Sequence, residues 1–281
     1  MSRELPPEPE VLPTPIVDAH THMDACGAES ATDVAAMADR AERVGVAGVL
    51  TVADDLEAAR WAVRAASWDS RVRAAVAIHP TRTGDFGERE QEAVEKLVIA
   101  DGVVAVGETG LDYYWDFSPP AAQREAFRWH IDLAKRVGKP LMIHDRDAHE
   151  DVLRILEEEG PPETVVFHCF SGDADMARYC VDAGYVLSFA GTVTFRNARS
   201  LREAALLVPQ GQLLVETDAP YLTPHPYRGR PNEPYCAAHT LCELARLREE
   251  PVAGLAAAVS ATAGRVFAVP AWAALAEVEL G

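Results

Sequence analysis

Residues 103–144 read VVAVGETGLDYYWDFSPPAAQREAFRWHIDLAKRVGKPLMIH. An apolar run at 103–107 leads through a polar loop into an amphipathic stretch at 120–137, then a second apolar run at 140–143. Pro119-Pro120 opens the amphipathic stretch, because proline's fixed φ suits a helical first turn, and Gly138 ends it. Both apolar runs lack polar alternation, as strands buried on both faces of a parallel sheet do. This is a strand–helix–strand unit, and the rest of the chain repeats it. The same reading predicts strands at 16–18, 48–52, 72–78, 164–167, 185–188 and 213–216. It predicts further helices at 33–44, 55–67, 88–100, 147–159, 173–183, 198–208, 236–249 and 252–268. Eight strands, each followed by helix without a dividing linker, define an α/β protein with a single (β/α)8 TIM barrel. An open doubly wound sheet is the competing fold, and the regularity of the eight units favours closure. Residues 15–281 are assigned to the barrel domain. Residues 1–14, acidic and Pro-rich, read as a short flexible N-terminal lead-in.

The 281 residues carry 26 Lys+Arg against 44 Asp+Glu, a net charge of −18, with 48% hydrophobic residues. That composition excludes a disordered or collagenous chain. The charge excludes a broad basic surface that would wrap nucleic acid, since phosphate neutralisation needs clustered Lys and Arg. Many acids fall on predicted outer helices, among them Glu88, Glu90, Glu92, Glu95, Glu157, Glu159, Glu249 and Glu250. An anion must therefore be held locally. Five cysteines without a C-x-x-C pair read as reduced thiols. With no secretory pattern and no membrane-length apolar run, a cytoplasmic location, as a monomer or weak oligomer, is expected.

In such a barrel, groups at the C-terminal ends of the strands converge on one face. The first strand ends Asp18-Ala19-His20-Thr21-His22, the third at His79, the fourth at Glu108, the fifth at His144 and the sixth at His168. The eighth ends Glu216-Thr217-Asp218, so six strand ends deliver an imidazole or a carboxylate. His20 and His22, two apart on an extended segment, face the same way and can reach one ion. Imidazoles suit Zn or another transition metal, and carboxylates complete the shell. Four histidines and two carboxylates exceed what one tetrahedral ion needs and suit two ions sharing a bridging carboxylate. Cys169, beside His168, should by strand alternation face the core, away from the metals.

The blocks DAHTHMD (18–24), GETGLDYY (107–114), IHDRDA (143–148), HCFSG (168–172) and ETDAPYL (216–222) resemble the signatures of TatD-type metal-dependent hydrolases. PYRGRPNEP (226–234) resembles that family's Arg-Gly-x-x-Asn-x-Pro loop, and the likeness runs in order from about residue 16 to 268. The resemblance implies a TIM-barrel deoxyribonuclease holding two divalent ions per subunit, Zn, Mg or Mn. It implies that His20, His22 and Asp218 hold one ion, that Glu108 bridges, and that His144 and His168 hold the second. Asp218 is then placed to orient a water and take its proton, and His79 to touch substrate or leaving group. Arg146, Arg228 and Tyr113 are candidate contacts to a DNA strand end or another small phosphodiester. Alternatives are an ester or amide hydrolase of the aminoacyl-tRNA deacylase or lactonase type, and a metal-binding scaffold without catalysis. Two blocks depart from the pattern: AIHPT (77–81) lacks the second histidine of Gly-x-His-Pro-His, and Thr262 stands where the late block has Asn.

Overall fold

Eight parallel strands pair in sequence order: β1 (Ile16–Thr21), β2 (Val46–Val52), β3 (Val72–Val76), β4 (Val103–Asp112), β5 (Leu141–Arg146), β6 (Val165–Phe167), β7 (Val186–Phe189) and β8 (Leu213–Val215). The computed structural model describes residues 4–280. β8 returns to β1 through a parallel bridge between Thr21 and Ala219, so the sheet closes into a barrel and the open-sheet alternative falls. Helices α1 (Ala31–Arg43), α2 (Leu56–Trp68), α3 (Glu88–Val98), α4 (Pro120–Val137), α5 (His149–Glu159), α6 (Ala174–Asp182) and α7 (Arg199–Leu207) connect the strands. After β8 come α8 (Ala237–Arg248), α9 (Val252–Val266) and α10 (Pro270–Ala274), the last unforeseen in the sequence. Gly138 takes the left-handed conformation (φ +65°) at the end of α4, the role expected of it.

Two apolar cores result. Ile16, Leu141, Ile143, Phe167 and Val215 face the helices, whereas Val17, Ala19, Ala105, Met142, Val166 and Leu214 fill the barrel. Phe267 and Trp272, from the C-terminal segment, belong to the barrel-filling cluster. A Cβ at Gly48 would lie 2.5 Å from the Trp272 indole nitrogen, which explains a glycine inside a strand. The lead-in is not a free tail from residue 4 onward. Leu12 is buried and its N–H donates to Val44, the Tyr235 hydroxyl donates to the Pro6 carbonyl, and Leu280 N–H donates to Pro13. The segment lacks regular structure, as its prolines dictate, but its apolar side chains dock. Residues 1–3 lie outside the described part.

Alternation alone would misplace two functional residues. With Val17 and Ala19 inside the barrel, His20 should point out to the helices. Between Asp18 and Thr21, however, three steps along β1 match two along β2. Three steps along β4, from Val106 to Thr109, likewise match two along β5. These bulges lie at His20 and Glu108 and turn both inward.

His130, on α4, is fully buried, with Nδ1 2.7 Å from the Ala126 carbonyl and Nε2 accepting the Ile78 N–H. Burial pushes its pKa down to about 4. A depressed histidine contributes stability that is fully present above its unfolded pKa, near 6.5, and is lost as pH falls through about 4. The expected loss is roughly 3 kcal/mol between pH 7 and pH 4. Chemical denaturation should show the gap between wild type and His130→Gln widest above pH 6.5 and narrowing towards pH 4.

Candidate metal centre

Each strand end delivers its group to one place. Nε2 of His20 and Nε2 of His22 are 3.3 Å apart. Oε1 of Glu108 lies 3.7 and 3.4 Å from them, and Oδ1 of Asp218 lies 3.7 and 3.6 Å from them. Corners of a tetrahedron around an ion with ligands at 2.0–2.2 Å are about 3.3–3.6 Å apart, so this donor set has the size of a metal shell. A second nest adjoins it. Oε2 of Glu108 is 2.8 Å from His168 Nε2 and 3.2 Å from His144 Nδ1, and those two nitrogens are 3.3 Å apart. Glu108 is 3% exposed and offers one oxygen to each nest. The predicted six ligands are thus brought together, and among the described residues the groups able to hold an ion draw only on these six and His79.

Outer hydrogen bonds orient the imidazoles. His22 directs Nδ1 to the Val52 carbonyl at 2.9 Å, which aims Nε2 at the centre. His144 does the reverse: Nε2 meets Asp112 Oδ2 at 3.1 Å, and Nδ1 faces inward. His168 Nδ1 lies 3.4 Å from Glu216 Oε1, which also accepts the Cys169 N–H. His79 differs. Its Nδ1 accepts the Thr81 N–H and sits 2.7 Å from the Thr81 hydroxyl, so the neutral ring carries its proton on Nε2. That nitrogen faces Glu108 at 3.7 Å, as a donor rather than a lone pair. Thr81 occupies the position of the missing second histidine and sets the tautomer of the first.

Charge follows the same geometry. Burial opposes ionisation of Glu108, but His168, His79 and His144 hold its carboxyl well below the usual range. Burial likewise opposes the proton on His22, and Asp218 and Glu108 nevertheless raise it to about 9. His168 rises well above its ordinary value because Glu108 and Glu216 outweigh its burial. Burial and the neighbouring His144 push His79 down to about 3, so it is neutral. The site is a buried anionic pair surrounded by histidines, and divalent cations fit it.

Asp18 supports no imidazole. Its oxygens accept the Thr217 N–H and hydroxyl at 2.8 and 2.6 Å, tying β1 to the end of β8. Asn232 donates to the Thr217 and Tyr221 carbonyls, fixing the Asp218 loop from below. Cys169 is half-buried rather than a core thiol, because its φ of +41° breaks the extended alternation behind that expectation. Tyr113 turns away from the centre: its hydroxyl donates to Asp151 on α5 at 2.6 Å and accepts from Arg124 on α4. The exposed neighbour is Tyr114, over whose ring the Arg146 guanidinium lies at 3.8 Å. Arg228 is exposed and lies over the Phe195 ring at 4.5 Å.

Asp112 and Glu216 were missed as orienting groups. Each is a second carboxylate near a ligand, at Glu108 and Asp218, and that doubling was the available signal. Asp112→Ala should weaken metal affinity about 10- to 100-fold by freeing the His144 ring, with a smaller loss for Asp112→Asn. Competition against a metal chelator measures both.

The fold and donor set define a metal-dependent hydrolase barrel. The chain belongs to the TatD related DNase family, whose model matches residues 17–268. It is 60% identical over 246 residues to a Mycobacterium tuberculosis protein named uncharacterized metal-dependent hydrolase TatD, covering 85% of this chain and 93% of that one. It is 39% identical over 256 residues to the Bacillus subtilis uncharacterized metal-dependent hydrolase YabD, covering 90% and 99%. The crystal structure of YJJV, a TatD homolog from Escherichia coli K12, superposes with a TM-score of 0.85 at 30% identity, covering 91% and 98%.

Proposed function

We propose that the protein is a dinuclear deoxyribonuclease that cleaves phosphodiester bonds at a strand end. The observation that carries this reading is the pair of donor nests sharing Glu108, with the neutral His79 N–H beside them. His20, His22 and Asp218 would hold one divalent ion and His144 and His168 the other, with Glu108 offering one oxygen to each nest. Two divalent ions there would supply positive charge for a phosphoryl oxygen and lower the pKa of a water.

The chain's own groups do the rest. Asp218 is held below the usual carboxylate range by His22, His20 and His168 despite its burial, so it is ionised. Its side chain keeps 14% exposure, enough to meet an attacking water, orient it and take its proton. His79 offers Nε2–H to the leaving or non-bridging oxygen, where charge develops. With no broad basic surface, substrate affinity is modest and depends on the centre. No helix of the described residues is long and apolar enough to cross a membrane, and action on nucleic acid in the cytoplasm suits the chain.

The test incubates protein loaded with Zn, Mn or Mg with 3′-overhang DNA, RNA and an aminoacyl ester. Cleavage of the DNA in a metal-dependent way is expected. Hydrolysis of the ester alone would move the protein to the deacylase reading.

A further inference from the structure

The loop between β4 and α4 carries three exposed aromatic side chains within four residues: Tyr114, Trp115 and Phe117, with exposures of 55%, 44% and 67%. They are organised, not scattered. Trp115 and Phe117 stack with centroids 5.3 Å apart and planes 10° from parallel, and Tyr114 meets Trp115 edge-on at 4.8 Å. The Arg146 guanidinium lies 3.8 Å from the centre of the Tyr114 ring. Single exposed aromatics are ordinary, but a contiguous aromatic face beside a guanidinium marks a binding surface.

The loop is also built into the centre. Asp112 Oδ1 accepts the N–H groups of Tyr114 and Trp115 at 3.0 and 2.9 Å, while its Oδ2 holds His144. Gln123 bonds to both backbone groups of Asp112 and to the Ser118 carbonyl, fixing the loop's two ends. One carboxylate therefore sets both a candidate metal ligand and the backbone of the aromatic face. Arg146 lies two residues past His144, roughly 7 Å along β5. Through Asp112 the aromatic loop is tied to the rim that carries His144.

We propose that Tyr114, Trp115, Phe117 and Arg146 form a base-stacking subsite for an unpaired nucleotide of a single strand. The inference rests on the phosphodiesterase reading and adds how the strand is held. Every base has a π face, so stacking grips a strand without sequence preference and without a broad basic surface. That solves the problem set by a net charge of −18. A base inside a duplex has both faces covered, so the subsite selects an unpaired nucleotide over an internal base pair.

The experiment compares a short single-stranded oligodeoxynucleotide with a strand of equal length whose internal residues are abasic, so that phosphodiesters remain and bases do not. Steady-state kinetics are measured for the metal-loaded wild type, Trp115→Ala/Phe117→Ala and Trp115→Phe/Phe117→Tyr, with folding checked by circular dichroism. Wild type should show a KM about 10- to 100-fold lower for the strand with bases. The double alanine variant should lose that advantage, keep its kinetics on the abasic strand, and regain the advantage in the aromatic-for-aromatic variant. Equal KM values for both strands in wild type, or an unchanged advantage in the alanine variant, overturn the subsite and leave the nuclease reading intact. Cleavage of neither strand by protein that hydrolyses an aminoacyl ester overturns both.

Discussion

Glu108→Ala should lower metal-dependent turnover by at least about 1,000-fold. Glu108 offers one oxygen to each nest: Oε1 lies among His20 and His22, and Oε2 lies within 3.2 Å of His144 and His168. Removing it would delete one proposed ligand from each nest and leave the histidines with one carboxylate instead of two. Because Glu108 is almost wholly buried, the variant also opens a hole at the mouth of the barrel. Glu108→Gln keeps the volume and loses the charge, so it separates the two effects and should be nearly as inactive. Elemental analysis after dialysis should find both variants short of metal. An active, fully metallated Glu108→Gln enzyme would remove the bridge from the mechanism.

Stripping both metals should lower the melting temperature by about 16–32 °C without unfolding the barrel. Ions at 1,000 times their dissociation constant stabilise the native state by about 4 kcal/mol per site. Each kcal/mol moves the midpoint of a domain this large by about 2–4 °C. The barrel itself persists because its two apolar cores lie below and outside the centre and use none of its groups. The test is a melt with and without chelator, with the far-ultraviolet spectrum recorded at 20 °C. A midpoint indifferent to added Zn or Mn counts against a resident centre.

Much of this was legible from residue order. Strands buried on both faces write themselves as short apolar runs, and the His and carboxylate groups that follow those runs had to meet at one rim. What failed depended on contacts between distant segments. Alternation aims His20 and Glu108 outward, and only the pairing of β1 with β2 and of β4 with β5 creates the bulges that turn them in. The left-handed φ at Cys169 accompanies an N–H bond to Glu216, a residue 47 positions on. Tyr113 and Tyr114 are alike in sequence, and their fates separate because Asp151 and Arg124 capture the first. The docking of the lead-in rests on single backbone bonds, the Glu8–Arg43 ion pair and the scattered Leu5 and Leu12, which leave no periodic trace.

The most direct measurement is a crystal structure of the protein loaded with Mn or Zn, with anomalous scattering collected at the metal edge. The account predicts two peaks per chain about 3.5–4 Å apart, one within bonding distance of His20, His22 and Asp218, the other of His144 and His168, with Glu108 between them. A single peak, or two that leave Glu108 unbound, contradicts it.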